Sequence, residues 1–154
     1  MKKLSSFILV ITLAASSFAQ TSSIKITTAK KIATDEIVTS LKVYSNVEVV
    51  LTDDTINGIQ IVGENAEVEN TQVKISNGVL TITNSSEEFS KEKVIVYVPS
   101  KNLERVFIHG SSTISSTEVI CNEMLDVTIN GEGRSQIKTY GSLNVNTIGD
   151  FPIE

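Results

Sequence analysis

Residues 125–137 read LDVTINGEGRSQI, and residues 143–153 read LNVNTIGDFPI. Both stretches follow one template, Leu-x-Val-x-(Ile or Thr)-x-Gly, which ends at Gly131 in the first and at Gly149 in the second. Apolar residues at every second position are typical of a strand that buries one face. A glycine directly after such a strand indicates a corner, because a residue without a Cβ reaches backbone angles that other residues avoid.

A third copy, LERVFIHGSSTI at residues 103–114, ends its alternation at Gly110. The three glycines are 21 and 18 residues apart, and each is followed after four to six residues by one isolated isoleucine: Ile114, Ile137 or Ile153. A repeat this short cannot bury its own apolar face and is stabilised by stacking on its neighbours. The period predicts coils of a β-solenoid, each with a strand, a glycine corner, a short second strand that carries the isoleucine, and a polar return.

Stacking of these coils would align inward side chains as two ladders: Ile108 with Ile129 and Thr147, and Val106 with Val127 and Val145. An antiparallel meander is the competing interpretation. It would show the same alternation, and the repeat would then be a coincidence among three short segments. Periodicity alone leaves both architectures open.

The N-terminal half predicts antiparallel strands. Asn77-Gly78 is typical of a two-residue type I′ hairpin turn, and this turn places Ile75 opposite Leu80, with Val73 opposite Ile82 on the same face. The alternating stretch LKVYSNVEVVLT, at residues 41–52, predicts a half-buried strand. A further strand, VIVYVP, closes at Pro99, which has no N–H to continue a ladder.

The N-terminus predicts export. Two lysines precede an apolar run that is far shorter than the about twenty residues needed to span a bilayer, and small residues follow at Ser17 and Ala19. Residues 1–19 are therefore predicted to be a signal peptide, with the mature chain starting at Gln20 and no stable membrane insertion after cleavage. Residues 20–40 form a lead-in that could be irregular, an edge strand or a short helix, and residues 41–154 form the β domain.

Charge and cysteine content exclude several partners. Without the two lysines of the signal peptide, 11 basic side chains stand against 18 acidic ones, a formal charge of −7, which argues against nucleic acid and anionic lipid surfaces. Cys121 is the only cysteine, so no internal disulfide forms, and its apolar setting predicts a small buried side chain. No spacing of metal ligands appears, and we expect no metal or cofactor.

The sequence gives only weak indications of catalytic residues. His109, the only histidine, lies between Ile108 and the glycine corner, at a position that predicts an exposed surface side chain. Glycosidic cleavage needs two carboxylates about 5 to 10 Å apart, and the outward candidates on stacked coils are Glu104, Asp126 and Glu132. Because β-helices include polysaccharide-cleaving enzymes, a carbohydrate-active enzyme that uses these outward carboxylates is the alternative to a non-enzymatic protein.

The chain contains an ordered combination of motifs: Val96-Tyr97-Val98-Pro99, then Leu103, then the strand that reaches Gly110-Ser111-Ser112, and then the NGEG of the second copy. In this combination it resembles a family found mainly in exported proteins of Bacteroidetes-type bacteria. This family is called "putative auto-transporter adhesin, head GIN domain", and the resemblance runs from Leu41 to the C-terminus. It implies an all-β, right-handed β-solenoid or parallel β-helix-like domain, here with N-terminal antiparallel hairpins. It brings no catalytic residues. Asn130 and Glu132 depart from the serine and glycine alternation usual in the family.

The function expected from these observations is a non-enzymatic, adhesin-like binding or structural protein of the cell envelope, in the periplasm, on the outer surface or secreted. Its partner would be a carbohydrate or a cell-surface protein, and a scaffold without a ligand is a further alternative. An open coil end near Pro152 and Glu154 predicts a monomer or a weak end-to-end association. Individual binding properties would lie in the residues that vary beside the glycines: His109, Ser111, Asn130, Glu132 and Asp150.

Overall fold

The computed structural model describes residues 27–52, 58–85 and 93–149. Within these ranges the chain forms twelve strands and one short helix. In chain order they are β1 (Thr27–Ile32), β2 (Ser40–Tyr44), β3 (Val47–Thr52), β4 (Ile59–Glu64), α1 (Asn65–Asn70), β5 (Thr71–Ser76), β6 (Val79–Asn84), β7 (Val94–Pro99), β8 (Arg105–His109), β9 (Thr113–Ser116), β10 (Met124–Asn130), β11 (Arg134–Gln136) and β12 (Ser142–Ile148).

The strands form two six-stranded mixed sheets. The first sheet has the order β1-β4-β7-β3-β9-β11, and the second has the order β12-β10-β8-β2-β6-β5. Three pairs are antiparallel, β1 with β4, β4 with β7 and β5 with β6, and the other neighbours are parallel. The buried aliphatic side chains of both sheets belong to one hydrophobic cluster, which is built almost entirely from Val, Ile and Leu. Aliphatic residues of this kind fit a pleated, half-buried surface.

This strand order shows that the predicted right-handed β-solenoid, or parallel β-helix, is wrong. In a solenoid each coil stacks on the next one along the chain. Here β2 pairs between β8 and β6, and β3 pairs between β9 and β7, so strands from early in the chain are inserted among later ones. Antiparallel pairs also end the first sheet at β1 and the second at β5. The all-β class agrees with the strands, but they are arranged as two mixed sheets.

The register predicted for the repeats is nevertheless correct. In the second sheet β8, β10 and β12 run parallel, with Ile129 opposite both Ile108 and Thr147, and Val127 opposite both Val106 and Val145. The β12 residues of these two ladders are not buried in the core, however, because Thr147 and Val145 are exposed. The parallel pairing also excludes an antiparallel meander in this region.

The second strand of each repeat agrees only in part with the prediction. Ile114 lies in β9 and is buried. In the next repeat Ser135 pairs opposite Ile114, and Ile137 follows β11 while packing against the core. The two extra residues before Ile137 therefore move it out of register. Ile153 lies outside the described residues.

The N-terminal half contains one confirmed prediction and two corrections. Its strands are not all antiparallel as predicted, because β2 pairs in parallel with β6 and β8, and β3 pairs in parallel with β7 and β9. Strands β5 and β6 form the antiparallel hairpin with Ile75 opposite Leu80 and Val73 opposite Ile82, as the Asn77-Gly78 turn predicts. The stretch at residues 41–52 is not one strand. It turns at Ser45, which has a positive φ of 75°, so that β2 joins the second sheet and β3 the first.

Two further features complete the fold. Of the three possibilities open for the lead-in, an edge strand is present, because β1 pairs with β4 at one end of the first sheet. Helix α1, which the sequence patterns did not indicate, has six residues and buries Val68. In the described part of the chain no helix is long and apolar enough to cross a membrane. The predicted signal peptide at residues 1–19 lies outside the described residues.

Candidate functional site

One side of the second sheet carries aromatic and polar side chains. In β2, β8 and β10 alternate residues are buried in the core, and the residues between them point outward. These outward residues, together with two from β12, are called the outer face. They are Lys42, Tyr44, Arg105, Phe107, His109, Asp126, Thr128, Asn130, Asn144 and Asn146. Most of them line a shallow groove of about 980 Å³.

Three rings meet near the centre of the outer face. The ring centroids of Tyr44 and Phe107 are 6.3 Å apart with an interplanar angle of 55°, and those of Tyr44 and His109 are 6.1 Å apart at 54°. Such tilted arrangements are favourable because the positive edge of one ring approaches the negative face of another. Tyr44 and Phe107 are only half-buried, and His109 is exposed as predicted. The cluster therefore presents ring surface to solvent.

Hydrogen-bonding side chains lie beside the rings. Thr128 pairs opposite Phe107 on one side and opposite Asn146 on the other, so the three residues form one row across β8, β10 and β12. In the neighbouring row the Asn144 amide donates to Oδ1 of Asp126 at 2.8 Å. Neighbouring strands are about 4.8 Å apart, so each row offers groups at that spacing. The face can thus stack on a flat apolar surface and hydrogen-bond around it.

Sharp corners hold this face in place. The residues after β2, β8 and β10, which are Ser45, Gly110 and Gly131, all have positive φ, at 75°, 84° and 111°. The Gly110 N–H donates to the carbonyl of Asn130 at 2.9 Å. A Cβ on Gly131 would lie 3.0 Å from the Gly110 carbonyl oxygen, so the two corners are in close contact. Stacked corners of this kind fix the strand ends that carry Tyr44, His109 and Asn130.

A buried serine ties the first corner to the second. The Ser112 side chain is fully buried, and its hydroxyl donates to the carbonyl of Ser45 and accepts from the N–H of Val47 at 3.2 Å. Satisfying buried backbone groups in this way lets a turn sit inside the fold without a desolvation penalty. It also explains why Ser45 is held in a backbone region that non-glycine residues seldom occupy.

The structure brings together only two of the residues selected from the sequence. His109 and Asn130 pair opposite each other on neighbouring strands of the outer face. Ser111 follows the Gly110 corner, and its carbonyl accepts from Nζ of Lys93 at 3.0 Å. Glu132 is exposed beyond the Gly131 corner. Asp150 lies outside the described residues.

Other members of the face were missed. Lys42, Tyr44 and Phe107 lie between buried residues, and Asn144 and Asn146 lie between the apolar positions of the β12 template, so the alternation was the available signal. What the sequence alone could not supply was that β2 lies next to β8, which brings Tyr44 to His109 although the two are 65 residues apart. The rings of the cluster therefore come from distant parts of the chain.

Asp126 and Glu132 do not form a pair suited to glycosidic cleavage. Asp126 and Asn130 are already about 13 Å apart along β10, and Glu132 lies beyond the following corner. Such cleavage requires a separation of about 5 to 10 Å. Glu104 lies beside Asp126, because it precedes Arg105, which pairs opposite Asp126, and its carbonyl accepts from the Asp126 N–H at 2.9 Å.

Two observations concern metals and thiols. Among residues 27–52, 58–85 and 93–149, no three His, Cys, Asp or Glu side chains come together in a group that could hold a metal ion. Cys121 is exposed, so its predicted burial is wrong. It lies just before Asn122, whose buried amide donates to the carbonyls of Ser100 and Leu103.

Comparison with solved structures finds the same fold in adhesin-like proteins. The similar structures include a putative adhesin from Parabacteroides distasonis (TM-score 0.67, 18% identity, 82% of this chain and 55% of that one). They also include one from Bacteroides fragilis (0.64, 21%, 80% and 58%) and one from Parabacteroides merdae (0.63, 19%, 79% and 52%). This chain thus spans little more than half of each, and at these identities the likeness shows the fold alone. The comparison with curated proteins found no match.

A family model matches residues 38–150, which include every strand of the second sheet and the whole outer face. Its description, "Putative auto-transporter adhesin, head GIN domain", is that of the family which the sequence resembles. The chain belongs to this head GIN domain family.

Proposed function

We propose that this chain is a non-enzymatic, adhesin-like binding domain that acts at the cell envelope or cell surface through the outer face of its second sheet. Membership of the head GIN family supports a surface protein of the adhesin type. The solved relatives are described as putative adhesins, and none of those three is described as an enzyme. Export through a signal peptide at residues 1–19 is part of this proposal.

The ring cluster of Tyr44, Phe107 and His109 is the observation that carries the proposal. The chain has only five Phe, three Tyr and no Trp, yet two of these rings lie side by side on one exposed sheet face. Aromatic side chains give a large contact area with little loss of rotamer freedom, which is why they are enriched at binding surfaces. The surrounding Thr and Asn side chains add hydrogen bonds without fixed charge.

The position of the cluster favours binding over a purely structural role. The core beneath β2 and β8 is already filled by aliphatic residues such as Val43 and Ile108, which have no exposed surface. Rings on the opposite side of these strands contribute little to that core. Removing them should therefore affect recognition more than folding.

The proposal is tested with the chain processed at residue 20, assayed for binding to a glycan array and to bacterial envelope material. The test variant carries Tyr44→Ala and Phe107→Ala. The control is Tyr97→Ala, a similarly half-buried ring on β7 in the first sheet. We expect the double variant to lose at least about tenfold in affinity, since aromatic residues dominate binding energy at interfaces. The control should bind normally.

Circular dichroism and thermal unfolding establish that each variant is folded. Two outcomes would overturn the proposal. One is a folded double variant that binds as well as the wild type, and the other is a loss of binding in Tyr97→Ala equal to that of the double variant. A chain that binds neither the array nor the envelope would favour a scaffold role instead. N-terminal sequencing of the protein recovered from the periplasm and medium tests the predicted cleavage before Gln20.

A further inference from the structure

We propose that the ligand of the outer face is an acidic polysaccharide with uronate carboxylates. This proposal rests on the proposed function and names the class of its ligand. It begins from the charge of the outward residues of the second sheet, which is opposite in sign to the net charge of the whole chain. The whole chain has a formal net charge of −5, but the described outward residues of the second sheet include Lys42, Lys74 and Arg105, and a single carboxylate, Asp126.

The cations lie directly beside the ring cluster. Lys42 in β2 pairs opposite Phe107 in β8, and on its other side it pairs opposite Thr81, which in turn faces Lys74. This row therefore runs Lys74, Thr81, Lys42, Phe107, Thr128 and Asn146 across six neighbouring strands. Arg105 lies two residues before Phe107 on the same side of β8. Positive charge, ring surface and hydrogen-bonding groups thus alternate within one surface.

These cations are available to a ligand. Within the described ranges neither Lys42 nor Arg105 is engaged in an ion pair, and the two are exposed. The carboxylate nearest to Arg105 in the register is Asp126, whose Oδ1 accepts the Asn144 amide. Two other acidic residues, Glu104 and Glu123, lie at the margin where β8 and β10 begin. Because β8 lies between β2 and β10, an anionic ligand is expected to reach Arg105 from the side of β2, where Lys42 and Tyr44 lie, and not from the side of Asp126.

The combination of groups matches a uronate polymer. A pyranose ring has an apolar C–H face that stacks on aromatic rings such as Tyr44 and Phe107, and hydroxyls that Thr128 and Asn146 can bond. The guanidinium group of Arg105 presents parallel N–H donors that suit a planar carboxylate, and the Lys42 ammonium adds a point charge. A neutral glycan would leave both cations desolvated without a partner, which is unfavourable.

The test measures binding of the wild type to polygalacturonate by biolayer interferometry. Methyl-esterified polygalacturonate is the matched ligand control, because it keeps the backbone and removes the charge. Lys42→Gln with Arg105→Gln is the test variant. Lys30→Gln with Lys31→Gln, on β1 of the first sheet, is the control with the same change in net charge.

We expect the test variant to bind polygalacturonate about tenfold more weakly, the control within about twofold of the wild type, and the esterified polymer to bind poorly. Raising the salt concentration should weaken binding, because exposed charges are screened. The inference is overturned if both polymers bind equally, if both charge variants lose affinity alike, or if dextran sulfate binds and polygalacturonate does not.

The two proposals fail in different ways. If neutral glycans bind and only Tyr44→Ala with Phe107→Ala reduces that binding, the adhesin function stands and the uronate assignment falls. If polygalacturonate binds but substitutions of the rings have no effect, the proposed role of the ring cluster falls. Binding that needs both the rings and the cations supports both proposals.

Discussion

Strands β10 and β12 have the same sequence template and pair residue for residue, but they differ in burial. In β10, Leu125 and Val127 have no exposed surface, whereas in β12 Val145 is 47% exposed. After β10 the chain continues into β11, which extends the first sheet, but no described strand of the first sheet follows β11. The inward side of β12 therefore lacks a strand opposite it within the described residues. The template specifies a strand and its register, and the opposite sheet determines burial.

The largest difference is expected between the leucines that begin the two templates. Leu125→Ala should lower the free energy of unfolding by about 3 kcal/mol, because a fully buried leucine is replaced by a cavity. Leu143→Ala should cost about 1 kcal/mol, since Leu143 is only partly buried against the core. Urea denaturation of both variants measures the difference. Equal losses would contradict the contrast between the strands.

The corners after the two strands should differ next. Gly131→Ala places a Cβ 3.0 Å from the Gly110 carbonyl oxygen and forces a φ of 111° on alanine, so we expect a loss of about 2 kcal/mol. Gly149→Ala meets no atom within 4 Å, and its effect should stay below about 0.5 kcal/mol. Thermal unfolding of the pair decides this point. A Gly149 variant that is the less stable of the two would show that the corners differ in another way.

Two asparagines extend the comparison to polar groups. Asn122 is buried and its amide donates to two backbone carbonyls, so Asn122→Ala should cost about 1 to 2 kcal/mol. Asn144 in β12 is exposed, and Asn144→Ala should leave stability within about 0.5 kcal/mol of the wild type. Chemical denaturation again provides the measurement. If Asn122→Ala is neutral, these hydrogen bonds do not stabilise the fold.

A small stabilising effect is expected at the first corner. Ser45 has a φ of 75°, which glycine tolerates better, although glycine also loses more backbone entropy on folding. Ser45→Gly should therefore raise the free energy of unfolding by about 0.5 kcal/mol. A clear loss of stability would mean that the serine side chain contributes to the corner beyond its backbone conformation.

Local patterns predicted the features that depend on neighbouring residues. The Asn77-Gly78 turn and the apolar alternation around it were enough for the register of β5 and β6, and the glycine repeats were enough for the register of β8, β10 and β12. In each case turn chemistry and hydrophobic period agree, so few other registers bury the same residues.

The failures concern non-local pairing. Ser45 occupies the corner position that glycine has in the repeats, so the matching pattern of β2 and β3 was interpreted as one strand. Without that corner, the insertion of β2 between β6 and β8 could not be recognised, and the repeats indicated a solenoid. The same gap concealed the ring cluster of the outer face, because Tyr44 reaches Phe107 and His109 only through this insertion.

The most direct test of the central claim is a titration of the ¹⁵N-labelled chain with oligogalacturonate, followed by amide chemical shifts. The predicted result is a set of shifts concentrated on the outer face, at Lys42, Tyr44, Phe107, His109 and Thr128, with little change in β3 and β7. Shifts concentrated on the first sheet, or no shifts at all, would contradict the claim that this chain binds acidic carbohydrate through the outer face of its second sheet.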